Sequence, residues 1–155
     1  MNPAPLAHYM TPPVDLPLDI HAARETLRRG NVSAEQCLDL QLERAHAQAL
    51  QHAWVLPPDA GDARYQLRAQ QQRCGQGLHD TPLAGLSVSV KDLFDVAGQV
   101  TTAGSRVLGP EGVNRPAAAA DAPAVARLRA AGAVVFGRTQ MSEFAFSGVG
   151  VNPHH

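Results

Sequence analysis

Lysine is nearly absent from this sequence. Of its 13 basic residues, Lys91 is the single lysine and the rest are arginine. Cysteine is scarce too: Cys37 and Cys74 lie far apart with no CxxC partner, which excludes a disulfide-stapled scaffold and makes free thiols the expectation. No apolar run reaches the 18 residues of a membrane-spanning helix, and the Pro-rich start, residues 1–17, has no basic n-region. A membrane anchor and a signal peptide are therefore not expected, and the expected compartment is the cytoplasm. With 17% charged residues, a net charge of −1 and no basic run, there is no electrostatic case for nucleic acid as a partner.

Motifs are missing as well. There is no HExxH and no paired Cys/His spacing, and the adjacent His154 and His155 face apart on regular backbone, so no metal is expected. A nucleotide fold would need glycines after its first strand; Lys91-Asp-Leu-Phe-Asp95 supplies none, and Gly148-Val-Gly150 is a fragment out of context. A Ser-His-Asp hydrolase would carry its serine in a G-x-S-x-G elbow, which does not occur. No cofactor is implied.

What is present reads as an α/β protein. The hydrophobic fraction of 45% suits a globular core, and the length suits one domain or a segment of a larger one. Residues 1–17 form an irregular lead-in. Asp19 caps a first helix from about Ile20 to Arg29, which Gly30 closes. Ser33-Ala-Glu-Gln36 is a capping box opening a helix with Leu38, Leu42, Ala45 and Ala49 at helical spacing, expected to reach about Leu50. Trp54-Val-Leu56 is a short extended piece. A polar surface helix follows from about Ala60 to Arg73, with Tyr65, Leu67 and Ala69 as its packing residues and Gly75 and Gly77 after it.

Leu86, Val88 and Val90 then alternate with Ser87, Ser89 and Lys91, the period of a strand with one apolar and one polar face. The connection after it is unusually long for a loop. Its stretch Gly98-Gln-Val-Thr-Thr-Ala-Gly-Ser105 is either the lining of a pocket or a surface turn. Asp121 is expected to cap a helix with Pro123 in its first turn and Val125 and Leu128 inside. Gly132 ends it, and Ala133-Val-Val-Phe136 has the unbroken apolarity of a buried parallel strand. Strand, helix, strand make a βαβ unit with Lys91 at the carboxyl end of its first strand, the edge at which open α/β sheets bind ligands.

Lys91 is either a solvated lysine or a base. Arginine keeps its proton in proteins, whereas a lysine in a dry pocket can lose it and accept another. Ser87 and Ser89 share its face but lie about 7 Å or more along the strand, and read as structural.

From Pro82 onward the sequence resembles the amidase signature enzymes. Four blocks in that family's order carry the resemblance: Pro-Leu-Ala-Gly-Leu-Ser-Val-Ser-Val-Lys-Asp-Leu-Phe-Asp, Val-Thr-Thr-Ala-Gly-Ser, Asp-Ala-Pro-Ala-Val-Ala-Arg-Leu-Arg-Ala-Ala-Gly-Ala-Val-Val-Phe-Gly-Arg-Thr, and Met-Ser-Glu-Phe-Ala-Phe-Ser-Gly-Val-Gly-Val-Asn-Pro-His. Gln140 and His155 depart from it, standing where the family often has Asn and Tyr. The resemblance implies that residues 18–155 are the N-terminal portion of one amidase signature domain, whose large mixed sheet is flanked by helices. It implies hydrolysis of carboxylic amides by a serine, a second serine in a cis peptide and a lysine, which Lys91 matches. An A-type subunit of a glutamine-dependent tRNA amidotransferase is the alternative, and a non-catalytic truncated product or a small binding module is another. The implied partners are a small-molecule amide, and a second copy or amidotransferase subunits. In the family both serines follow the Asn-Pro-His stretch, so the 155 residues alone are expected to be an inactive fragment.

Overall fold

The cap residues do what their chemistry dictates. In the computed structural model, which describes residues 19–47, 52–74, 81–109 and 111–154, the Asp19 carboxylate accepts from the Ala22 amide at 2.8 Å and opens α1, Ile20–Arg28. Gly30, at φ +69°, turns the chain out of it in the left-handed region that glycine enters without steric cost. Ser33 and Gln36 form the reciprocal capping box of α2, Ala34–Ala45, at 3.1 and 2.9 Å.

Helix α2 ends earlier than the expected Leu50. The Ala47 amide bonds the Arg44 carbonyl in a tighter turn, and the Trp54 indole N–H takes the Ala45 carbonyl at 2.9 Å, an acceptor that a further helical turn would use. Residues 48–50 themselves lie outside the described residues, as do the lead-in 1–17, Gly75, Gly77 and His155.

Helix α3 spans Ala60–Cys74, and Asp59 accepts from the Asp62 amide at its start. Its inner face is Ala63, Leu67 and Gln70, at the i, i+4, i+7 spacing of a helical stripe. Tyr65, expected to pack, is instead 72% exposed, because it falls off that stripe. Gln70 is buried because its amide reaches the Ala133 carbonyl at 2.9 Å. Cys37 is a buried free thiol, as expected, and burial pushes it up from its ordinary value; the Cys74 side chain lies outside the described ones.

Among the described residues there are three strands: β1, Trp54–Leu56, which precedes α3; β2, Ser87–Lys91; and β3, Val134–Thr139. Their order is β1-β3-β2, with β2 parallel and β1 antiparallel to β3. Helix α4, Pro123–Ala130, joins the parallel pair, so the expected βαβ unit is present within a mixed sheet. The two faces of β3 bury different helices. Val134 packs with Ala34, Leu38 and Leu42 of α2 and with Ala63 and Leu67 of α3. Val135 packs on the other face with Val90, Val96 and Val125 of α4. Ser87 donates to the Gln41 side chain on α2, the structural role expected of it.

Two further expectations are corrected. Asp121 does not cap α4; Ala122 holds the cap position with no side-chain bond. The Asp121 carboxylate accepts instead from the Ala97 amide at 2.8 Å and from Arg129 Nε at 2.9 Å, tying the long connection to the helix. Pro123, at the first helical position, leaves one fewer unpaired N–H at that end of the helix. Strand β3 also continues past Phe136 to Thr139, by way of a bulge. Val88 pairs with Val135 and Val90 with Arg138, so β3 spends one residue more than β2 over the same span. Gly137, at φ +72°, absorbs it; a Cβ there would stand 2.9 Å from the Trp54 ring. Among the described residues no helix is long and apolar enough to cross a membrane.

Candidate active site at the carboxyl end of the parallel strands

Side chains alternate along a strand, so Val88, Val90 and Asp92 share one side of β2 and Lys91 points to the other. Lys91 ends the strand, paired with Thr139, and its side chain is exposed. None of the ion pairs among the described residues involves it. Its carbonyl accepts from the Leu93 and Phe94 amides at 2.7 and 3.1 Å, a turn that closes immediately on the strand end. The strand thus presents the lysine at an edge, with backbone held on both sides.

What holds it is Asp92, 1% exposed, which sequence reasoning did not single out. Its amide donates to the Thr139 carbonyl at 3.0 Å, extending the ladder one residue beyond Lys91. Its carboxylate pairs with Arg138 Nη2 at 2.8 Å, and both side chains are buried. It also accepts from the Thr102 hydroxyl and from the Gly104 amide at 3.0 Å. Arg138 Nη2 reaches the Phe94 carbonyl as well, at 2.8 Å, while its Nε has no partner among the described residues. Burial pushes the guanidinium below its ordinary value, and the charges of Asp92 and Asp95 oppose that shift.

The bulge explains why this pair exists. Regular alternation from Val135 would send residue 138 to the face covered by α2 and α3. The extra residue at Gly137 reverses the parity, and Arg138 comes level with Val90 on the side where Asp92 lies. The signal in the sequence was the glycine inside an apolar strand, followed by an arginine.

Two segments converge on this end of the sheet. Gly98 is exposed, but residues 101–105 pack inward, with Thr101, Ala103, Gly104 and Ser105 buried, so for them the surface-turn reading gives way to a packed wall. Ala103 takes a left-handed backbone at φ +53°, and its carbonyl accepts from the Phe144 amide. At Gly104 a Cβ would lie 2.8 Å from Asn152 Nδ2 and 2.9 Å from the Met141 carbonyl. Asn152 donates to the Gly104 and Met141 carbonyls at 2.7 and 2.8 Å, which knits the second segment, 139–154, to the first. Ser105 Oγ donates to Glu143 at 2.6 Å, and His154 Nε2 stands 3.6 Å from the same carboxylate. Among the described residues no group of three His, Cys, Asp or Glu is placed to hold a metal ion. Chemically, the site offers one primary amine on a rigid mount.

Comparisons with known proteins bear on the family and the fold. The amidase family model matches residues 38–155. The A-type chain of the glutamyl-tRNA(Gln) amidotransferase of Roseiflexus castenholzii is 38% identical over 128 residues, 83% of this chain and 25% of that protein. The AtzE chain of the 1-carboxybiuret hydrolase of Pseudomonas sp. (strain ADP) is 44% identical over 95 residues, 60% of this chain and 20% of its own length. A crystal structure of an amidase superposes with a TM-score of 0.72 at 35% identity, over 88% of this chain and 30% of that one. The chain spans about a quarter of the length of the curated relatives it matches. It is a member of the amidase family.

Proposed function

We propose that this chain supplies the base of an amide-hydrolysing site, with Lys91 as the proton acceptor. The observation that carries the reading is the place of Lys91: the single lysine of the chain, at the carboxyl end of a parallel strand, within a segment that matches the amidase family. Neutral Lys91 would take a proton through a bridging serine while a nucleophilic serine attacks the amide carbon. It would return that proton to the leaving amine, and water would then release the acyl group. Both serines and the oxyanion donors come from polypeptide that follows the matched segment in the family. An exposed amine is not a dry base, so the burial that favours neutral lysine must also come from there. The substrate class is a small carboxylic amide. The likeness to an amidotransferase chain supports a second reading, in which the same chemistry serves a glutamine-dependent assembly with further subunits.

The test is a chimera in which residues 38–155 replace the matching segment of a related amidase. Activity is expected to survive the graft and to fall by about 100- to 10,000-fold with Lys91→Ala, the span of general-base contributions. Activity that survives Lys91→Ala would sink the proposal. The 155-residue chain alone is expected to release no ammonia from simple amides. Release that Lys91→Ala abolishes would show that the serines are not needed.

A further inference from the structure

We infer that Asp92 and Arg138 are positioning residues for Lys91, acting as a buried pair that clamps the strand end and in which each charge offsets the other. This rests on the reading of Lys91 as the base, and it adds residues that sequence reasoning passed over. The pair is costly in isolation, because two charges leave water and one guanidinium N–H has no partner among the described residues. A pair of apolar side chains would fill the same space without that cost. The polar pair does something apolar residues cannot: from one point it gathers three separate segments.

Asp92 holds residues 102–104 through its carboxylate, while its backbone amide, which any residue but proline would offer there, continues the ladder to Thr139 of β3. Arg138 holds the turn after Lys91 through the Phe94 carbonyl, and Thr101 at 3.3 Å. Val90 on one side of Lys91 and Asp92 on the other are both buried, so the lysine's backbone is pinned from two flanks while its side chain stays exposed. The charge balance follows from the same geometry. A lone carboxylate at residue 92 would favour the protonated amine next door and blunt it as a base. Arg138 cancels that field at 2.8 Å. The charged groups around the pair are Asp95, on the turn after β2, and Lys91 itself.

Because Lys91 is the single lysine, the test reads one atom in the intact 155-residue chain. Reductive methylation with ¹³C-formaldehyde labels Lys91 and the N-terminal amine, and NMR follows the Lys91 methyl signal against pH. Asp92→Asn leaves Arg138 uncompensated and should lower the titration midpoint relative to wild type. Arg138→Met leaves Asp92 uncompensated and should raise it. Each shift is expected to be about half a pH unit, the scale of one charge at ~10 Å in a partly wet environment. The double variant should return the midpoint to the wild-type value. Shifts in the same direction, or none in variants that keep native amide dispersion, overturn the charge-balancing role.

Should either single variant unfold, the double variant and hydrogen exchange in the wild type decide. The Gly104 amide, which donates to the Asp92 carboxylate, is expected to exchange as slowly as that of Val90. Exchange there as fast as an open amide overturns the clamp, and a double variant whose midpoint departs from wild type by half a unit overturns the charge balance. None of these readouts requires catalysis. Failure here with a Lys91-dependent chimera leaves the base standing without its clamp, whereas a Lys91-independent chimera removes the base whatever the titrations show.

Discussion

The helical face of the molecule and the carboxyl end of its sheet are held together by opposite means. Between α2, α3 and β3 the interior is a patch of Leu38, Leu42, Leu67, Ala63 and Val134, with its charged groups outside on pairs such as Arg64–Asp39. At the carboxyl end the arrangement inverts. Asp92, Arg138, Ser105 and Asn152 are buried, while Phe144, Phe146, Val149 and Val151 are exposed, Phe146 at 96%. Apolar packing is non-directional and tolerates substitution with graded losses. A buried polar network is directional and fails when one member is removed, because the remaining groups have neither water nor partner. The first face therefore supplies stability, and the second supplies a fixed geometry around Lys91. The exposed Phe144, Phe146, Val149 and Val151 are the sort of apolar residues that folded proteins usually cover.

Breaking each region should separate these roles. The largest effect is expected from Arg138→Ala, which strands the Asp92 charge in the interior and should cost about 3–5 kcal/mol by urea denaturation. Exchange protection should be lost first around residues 92–105. If the loss is below about 1 kcal/mol, the pair is not buried in solution as described.

Leu67→Ala should cost about 2–5 kcal/mol, by lost transfer energy and the cavity left under α3. It should lower the protection of α2, α3 and β3 together, leaving the bonds of Asp92 in place. A Leu67 variant that loosens residues 92–105 ahead of the helices would contradict the division into two regions.

The smallest effect tests the surface of the helical face. Glu25 accepts from Arg28 and Arg29, three and four residues further along the chain, and these bonds hold its carboxyl down at about 2. A depressed folded-state value means that any stabilisation from it is full above the ordinary carboxylate range and is lost as pH falls toward 2. NMR titration of the Glu25 carboxyl should give a midpoint well below 4.5, moving up with added salt as the exposed pairs are screened. A midpoint at the ordinary value would mean that the pairs do not persist in solution.

Much of the helical region was legible because its determinants are local. Asp19, Gly30, and the Ser33–Gln36 box each act within one turn, so spacing alone identifies them. The strand ending at Lys91 was legible from its period of two. Where the reading failed, a distant partner intervened. Asp121 left its expected cap for Ala97 and Arg129, Tyr65 fell outside the stripe that β3 covers, and the Trp54 indole took the Ala45 carbonyl where α2 stops.

The sequence by itself determined the capped helices, the βαβ order, the family blocks and the single lysine at a strand end, since each is written in residue type and short spacing. Only the tertiary structure decided that Asp92 and Arg138 meet. They are 46 residues apart, and their contact depends on the parity of a strand set by one extra residue at Gly137. A one-residue change of register reverses every side chain beyond it, and that reversal is visible only once the neighbouring strand is in place.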